Sequence, residues 1–142
     1  MGFREVSVIF LSCQSTKKQV ETFLEDLHGL INSNDFNIDT DFVLVSKRKQ
    51  GDDEKFSTPF TLLDLGYDAS DVVKRLRELV VDEYSETKID KDDVNPLALF
   101  VFGKVINDRL VYIKLKIKEN QRKYVLCVSF HYAKRDMKFP YA

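Results

Sequence analysis

Apolar and polar side chains alternate along most of the stretch from Phe100 to Tyr132, and this pattern predicts three consecutive strands. A half-buried strand points successive side chains to opposite faces, so each run separates into a buried set and an exposed set. In the middle strand, Val111, Ile113, Leu115 and Ile117 alternate with Tyr112, Lys114, Lys116 and Lys118. In the third strand, Tyr124, Leu126, Val128 and Phe130 alternate with Val125, Cys127, Ser129 and His131.

The two turns between these strands predict their register. Asn107-Asp108 suits a two-residue hairpin, which places Gly103 opposite Tyr112. A four-residue turn over 119–122 then gives the apolar pairs Leu115–Leu126, Ile113–Val128 and Val111–Phe130. On the other face the same register sets Tyr112 beside Ser129, Lys114 beside Cys127, and His131 diagonally next to Tyr112.

The rest of the chain predicts three helices and two further strands. A helix over Ser15 to Ile31 opens on a capping box of Thr16 and Gln19 and carries a continuous apolar stripe. The other elements are helices at 60–65, ended by Gly66, and 70–80, capped by Asp68, with strands at 4–11 and 42–46. The segment 87–96 is expected to be a charged loop.

The resulting order β-α-β-α-α-β-β-β predicts one α+β domain over residues 1–142, with helices packed on one face of an antiparallel sheet. Residues 1–59 form its β-α-β part, and residues 60–142 supply the later helices and the C-terminal sheet.

Composition is that of an ordinary globular domain, with 44% hydrophobic and 32% charged residues. No apolar run approaches the ~20 residues of a membrane span, and the early run VSVIFLSC lacks the features of a signal peptide, so we expect a cytoplasmic protein without membrane partners. Cys13 and Cys127 lie in apolar runs and are expected to be buried free thiols. The sequence carries neither metal-ligand spacing nor a phosphate-binding glycine loop, so we expect no metal and no cofactor.

Charge is divided unevenly along the chain. Residues 1–99 carry 12 Lys/Arg against 20 Asp/Glu (net −8), whereas residues 100–142 carry 10 against 3 (net +7). Such a split suggests a polyanion-binding surface on an acidic body, although the two parts can equally neutralise each other across the fold.

The exposed face of the C-terminal sheet concentrates the candidate chemistry. It carries Tyr112, Lys114, Lys116, Ser129 and His131, beside a gap at Gly103, with Lys104, Lys134 and Arg135 near its rim. Lysine and an aromatic ring on a sheet are suited to a phosphate backbone and a stacked base, and histidine is suited to acid–base chemistry near neutral pH. Alternating lysines on an exposed strand face are, however, very often solvated side chains that discourage edge pairing, and the residues alone favour that interpretation.

The stretch from Thr61 to Phe130 resembles the MqsR-type toxins of bacterial toxin–antitoxin systems, which are small mRNA interferases with a RelE-like α+β fold. The resemblance lies in the order and spacing of short motifs: Leu65-Gly66, a helix of matching length, Asp82-Glu83-Tyr84, Val111-Tyr112-Ile113-Lys114 and Ser129-Phe130. It implies an endoribonuclease that acts on mRNA without a metal, by attack of the substrate's own 2′-OH on the neighbouring phosphate, and a cognate antitoxin as partner.

The resemblance also implies which residues form the site. Tyr112 matches the family's active-site tyrosine, and His131 and Ser85 stand where the family has lysines. The family's catalytic glutamine falls near Gly103 and Lys104, where Lys104 is expected to replace it. The expected catalytic residues are therefore Tyr112, Lys114, His131 and Lys104, and the expected substrate-binding residues are Tyr84, Ser85, Gly103, Lys116, Ser129, Lys134 and Arg135.

Two other functions remain open from the residues alone. One is a nucleic-acid-binding or regulatory protein that has the fold without the catalysis, and the other is an interaction module whose basic face docks an acidic partner protein.

Overall fold

A single mixed sheet of six strands dominates the computed structural model, which describes residues 10–90 and 98–142. The strands are β1 (Phe10–Cys13), β2 (Phe42–Leu44), β3 (Tyr84–Asp90), β4 (Leu99–Ile106), β5 (Arg109–Glu119) and β6 (Lys123–Tyr132). Their order in the sheet is β1-β3-β4-β5-β6-β2. Every neighbouring pair is antiparallel except β2 and β6, which run parallel.

The α-helices in the same two ranges are α1 (Lys17–Ile31), α2 (Ile38–Asp41), α3 (Thr58–Leu65) and α4 (Ala69–Arg77), with short 3-10 helices at Gly51–Phe56 and Val81–Glu83. The sequence signals at their ends are confirmed. Thr16 and Gln19 form the predicted capping box of α1, and Asp68 caps α4. Gly66 ends α3 in the left-handed conformation, with φ of 70°, which glycine adopts without steric cost.

The main core lies between the helices and one face of the sheet. Val20 and Leu27 of α1 and Leu76 of α4 are fully buried against the strands, together with Ile113 and Leu115 of β5. Each such side chain contributes roughly 1.5–3 kcal/mol of transfer free energy. The predicted α+β class is therefore confirmed, with helices packed against the sheet.

Several details of the predicted topology are wrong. The sheet is mixed rather than antiparallel. Residues 84–90 form a strand between β1 and β4, although the prediction placed no element at 84–86 and a charged loop from residue 87. The first strand spans Phe10–Cys13, and most of the predicted 4–11 strand lies outside the described residues. Cys127 is buried as expected, but Cys13 is exposed.

The pairing of β5 with β6 also differs from the predicted register. Glu119 pairs with Lys123, so the turn has three residues instead of four, and a bulge leaves Val128 without a direct partner. The observed apolar pairs are Leu115–Cys127, Ile113–Phe130 and Val111–Tyr132. A bulge changes which side chains share a face. Val125 and Cys127 are therefore buried before it, and Phe130 and Tyr132 after it.

Asp41 is a buried carboxylate at the end of α2, and it ties α2 to the β5–β6 turn. It accepts hydrogen bonds from the backbone N–H of Asn37 at 3.0 Å and from Arg122 at 2.8 Å. These bonds hold the pKa of Asp41 below its usual value of 3.8. Because the folded pKa is depressed, the stabilisation is present above the unfolded pKa and is lost as pH falls through the folded pKa.

We therefore expect Asp41→Asn to lower the free energy of unfolding near pH 7, and to lower it less as the pH falls below about 4. Urea unfolding of the wild type and the variant, near pH 7 and again below about pH 4, measures the difference in the free energy of unfolding. A difference that does not shrink in acid would contradict the assignment of Asp41 as an ionised partner of Arg122.

Candidate active site

The C-terminal residues 133–142, which we call the strap, cross the exposed face of the sheet opposite the helices. The strap leaves β6 with the Ala133 N–H bonded to the Leu110 carbonyl at 2.9 Å. At its far end the Tyr141 hydroxyl donates to the backbone carbonyl of Ser15, and the Tyr141 ring stacks on Tyr84 with centroids 5.8 Å apart. The strap is thus anchored near the start of α1.

Gly103 is the point where the strap lies against the sheet. A Cβ atom at this position would come within 2.8 Å of the Phe139 ring and 2.9 Å of the Met137 sulfur. The absence of a side chain therefore lets the strap approach β4. The gap expected here for substrate is occupied by the protein's own C-terminal residues.

Gly103→Ala is accordingly expected to destabilise the protein by about 1–3 kcal/mol, because the strap must move away from the added methyl group. Gly29→Ala is the matched control. Gly29 lies on the exposed side of α1, and a methyl group added there would have no atom within 4 Å, so alanine should stabilise by about 0.5–1 kcal/mol. Urea unfolding measures the change in the free energy of unfolding for each variant. An equal change at the two sites would contradict the contact between the strap and Gly103.

A cleft of about 870 Å³ opens between the strap and the sheet. The predicted site residues in its lining are Tyr112, His131, Ser85, Lys134 and Arg135. Glu86 and Lys88 of β3 and Met137, Phe139 and Pro140 of the strap complete much of the wall. The cleft therefore combines cationic groups with the apolar side chains of Met137, Phe139 and Pro140, a mixture suited to a ligand with both charge and ring surface.

Tyr112 and His131 form a stacked pair on the floor of this cleft. The β5–β6 register sets them directly opposite each other, instead of diagonally as predicted, because the shorter turn and the Val128 bulge each shift the pairing by one residue. Their ring centroids are 5.1 Å apart and their planes differ by 14°. The two residues expected to be catalytic are thus brought into contact.

The hydrogen bond of His131 decides which of its nitrogens carries the proton. Nδ1 lies 2.9 Å from the backbone carbonyl oxygen of Tyr132. Since a carbonyl oxygen only accepts, Nδ1 must be the donor, and in the neutral ring Nε2 then holds a lone pair. Burial lowers the pKa of His131, and the positive charges of Lys49 and Lys114 lower it further. Near neutral pH the ring is therefore an unprotonated imidazole that can accept a proton at Nε2.

Tyr112 has the opposite electrostatic character. Burial, with the nearby charge of Glu86, raises the pKa of its phenol to about 12. It is consequently a neutral phenol near pH 7, able to donate a hydrogen bond or present its ring for stacking but not to act as a base.

Lys114 is the next residue after Tyr112 on the same face of β5. It lies directly opposite Ser129, not opposite Cys127 as predicted. Neither residue lines the cleft itself, and Ser129 is buried. Burial and the charges of Lys88, Lys49 and Lys47 lower the pKa of Lys114. Lys116 follows on the same face, further from the Tyr112–His131 pair.

Two residues expected in the site lie elsewhere. Lys104 pairs with Val111 on the helix-covered face of the sheet, where its ammonium group contacts Glu83 at 3.2 Å and Glu78 at 3.7 Å. Tyr84 is fully buried, and its hydroxyl accepts the Ser15 backbone N–H at 2.8 Å. The structure therefore places Lys104 and Tyr84 in interactions that hold the fold together, away from His131.

Several charged residues at the site were not among the predicted ones, and they include Asp136 and Lys138 of the strap. Glu86 and Lys88 project into the cleft from β3, where Glu86 accepts a hydrogen bond from Ser12 at 2.6 Å. The sequence signal was the alternation of Glu86 and Lys88 with Thr87 and Ile89, which is strand-like. Lys49 lies in the loop after β2, and its positive charge lowers the pKa of His131. In the sequence this residue is marked only by its place in the basic triplet Lys47-Arg48-Lys49.

Residues 10–90 and 98–142 contain no cluster of three or more His, Cys, Asp or Glu arranged to hold a metal ion, and none of their helices is both long and apolar enough to cross a membrane. Comparison of the chain with protein-family models, curated proteins and solved structures finds no match.

Proposed function

We propose that this protein is an endoribonuclease that cleaves RNA in the cleft without a metal ion, as an mRNA interferase toxin of a toxin–antitoxin system. The observation that carries the proposal is the Tyr112–His131 pair, in which an unprotonated imidazole nitrogen lies among lysine side chains. A base beside fixed cations is what transfer of a phosphate ester to a neighbouring hydroxyl requires.

The proposed reaction starts with removal of the ribose 2′-OH proton by Nε2 of His131. The 2′ oxygen attacks the adjacent phosphorus, a new P–O2′ bond forms, and the P–O5′ bond breaks. The departing 5′ oxygen takes a proton from water, while the positive charge of Lys114, which also acts on His131, stabilises the negative charge that develops on the phosphate. The products are a 2′,3′-cyclic phosphate and a 5′-hydroxyl, and His131 returns its proton to the solvent.

Other residues of the cleft bind rather than react in this proposal. The phenol of Tyr112 orients the phosphate or stacks on a base, and Lys88, Lys134 and Arg135 attract the sugar–phosphate backbone. Lys104 has no part in the reaction, because its ion pairs with Glu78 and Glu83 lie on the other face.

The biological setting rests on the resemblance of residues 61–130 to MqsR-type toxins. It supports a cytoplasmic toxin whose cognate antitoxin protein covers the basic face of the sheet. Positive charge that attracts RNA would attract an acidic antitoxin segment for the same reason.

The test is to incubate the purified protein with mixed RNA in the presence of a metal chelator and to sequence the new ends. We expect discrete cleavage sites with 2′,3′-cyclic phosphate ends, and no such ends from a His131→Gln preparation purified in parallel, which controls for contaminating nucleases. RNA binding that weakens steeply with salt but yields no new ends would overturn the enzyme and favour a non-catalytic RNA-binding protein.

A further inference from the structure

The edge of β6 around His131 is held by side chains of α3 rather than by another strand. The parallel pairing with β2 ends at Cys127, and no other strand in residues 10–90 and 98–142 lies beside the following residues of β6 on that edge. There the Phe130 N–H donates to the Thr58 hydroxyl oxygen at 3.1 Å, and the Tyr132 N–H donates to the Thr61 hydroxyl oxygen at 3.0 Å.

These contacts form a regular polar stripe on the side of α3 that faces β6. Thr58, Thr61 and Asp64 are spaced three residues apart, which sets them along one side of a helix. Both threonines are buried, with Thr61 fully inaccessible, and the Asp64 carboxylate accepts the hydroxyl of Tyr132. Buried threonines cost desolvation free energy unless they are hydrogen-bonded, so their fit to β6 is specific.

Tyr132 connects this stripe to His131. Its amide is bound by Thr61 and its phenol by Asp64, while its carbonyl oxygen accepts the Nδ1–H of His131. The position of that carbonyl determines which imidazole nitrogen carries the proton. The α3 contacts therefore act one residue away from the group that must accept a proton.

We infer that Thr61 and Asp64 are positioning residues for His131: by holding Tyr132, they keep the imidazole in the tautomer that carries its proton on Nδ1 and leaves Nε2 unprotonated. The inference rests on the proposed function, since it explains how the proposed base is prepared. It also concerns the tautomer of His131 in the free protein, which is measurable without substrate.

The decisive variant is Thr61→Val, which keeps the side-chain shape and removes the acceptor for the Tyr132 N–H. We expect the imidazole nitrogen chemical shifts of His131, measured by NMR on the full chain, to change from one tautomer to a mixture. We also expect kcat for RNA cleavage to fall by about tenfold with KM little changed, because small misplacement of a reacting group is costly. Thr61→Ser should restore both.

Thr87→Val is the matched control. Thr87 is equally buried and bonds Ser15 and Tyr84 at 2.6 Å each, but it lies on β3. It should destabilise the fold without altering the His131 tautomer. The chain has only two histidines, so comparison with His131→Gln identifies the signals.

An unchanged tautomer in folded Thr61→Val protein would overturn the inference, as would an equal change in Thr87→Val. If Thr61→Val does not fold, Tyr132→Phe removes only the phenol bond to Asp64 and is judged by the same tautomer result. A wild type with the single tautomer but no cleavage would overturn the proposed function alone.

Discussion

Replacing His131 with glutamine is expected to lower the rate of RNA cleavage by about 10²–10⁴-fold, because the reaction loses its general base. His131 is partly exposed in the cleft and is not part of the apolar core, so the folded structure should persist. Single-turnover cleavage of a defined RNA gives the rate, and urea unfolding shows that the variant is folded. A folded His131→Gln protein that cleaves at the wild-type rate would remove His131 from the mechanism.

The pH dependence of the same reaction follows from the direction of the His131 pKa shift. Burial and the nearby lysines lower this pKa below its usual 6.5, so the unprotonated form prevails at neutral pH. The rate should rise with pH through that lowered pKa and level off above it, with a midpoint below the usual 6.5 of histidine. Lys49→Gln removes one of the depressing charges and should move the rise toward higher pH.

Lys114→Met is expected to lower the rate of the cleavage step by about 10²-fold, the usual effect of removing one group that stabilises developing charge. Lys114 is partly buried on the same face as Tyr112, and its charge acts on His131. Methionine keeps most of the apolar stem and removes only the ammonium group.

Lys116→Met is the control for this variant. Lys116 is on the same strand and the same face but two residues further from Tyr112, so its loss should weaken RNA binding slightly and leave the cleavage step unchanged. Single-turnover rates at saturating protein separate the two effects. Equal losses for the two variants would indicate a general contribution of positive charge and would contradict a specific role for Lys114.

The hairpin at Asn107-Asp108 could be predicted from sequence because local chemistry decides it. Both residues adopt positive φ, as a two-residue turn requires, and Gly103 lies opposite Tyr112 as predicted. That register also puts Lys104 on the opposite face from Tyr112, so side-chain alternation argues against the site assignment drawn from the resemblance. The geometry of the strand outweighs a residue-by-residue correspondence here.

The β5–β6 pairing could not be predicted in the same way. Leu126, Val128, Val125 and Cys127 are all apolar, so either register buries hydrophobic surface, and nothing local marks Val128 as the bulged residue. The bulge, together with the shorter turn, is what brings His131 opposite Tyr112. The prediction that these two side chains share one face could therefore be made from the sequence, but their direct contact could not.

The strap and strand β3 could not be predicted, because both depend on packing between residues that are far apart in the chain. The strap closes one side of the cleft through Phe139 and Met137, which are more than thirty residues from Gly103 in the chain. Strand β3 forms between β1 and β4, and its charged residues have the composition that is typical of a loop. Such contacts leave little trace in local patterning, because they are decided by what the whole fold brings together.

The attacking nucleophile is the central claim, and one substitution in the substrate tests it most directly. A short RNA carrying one mapped cleavage site is compared with the same RNA in which only the nucleotide preceding the scissile phosphate is 2′-deoxy. The account predicts that the all-RNA substrate is cut to a 2′,3′-cyclic phosphate and that the deoxy substrate is resistant at that site. Cleavage of the deoxy substrate at a similar rate would contradict attack by the 2′-OH and the role assigned to His131.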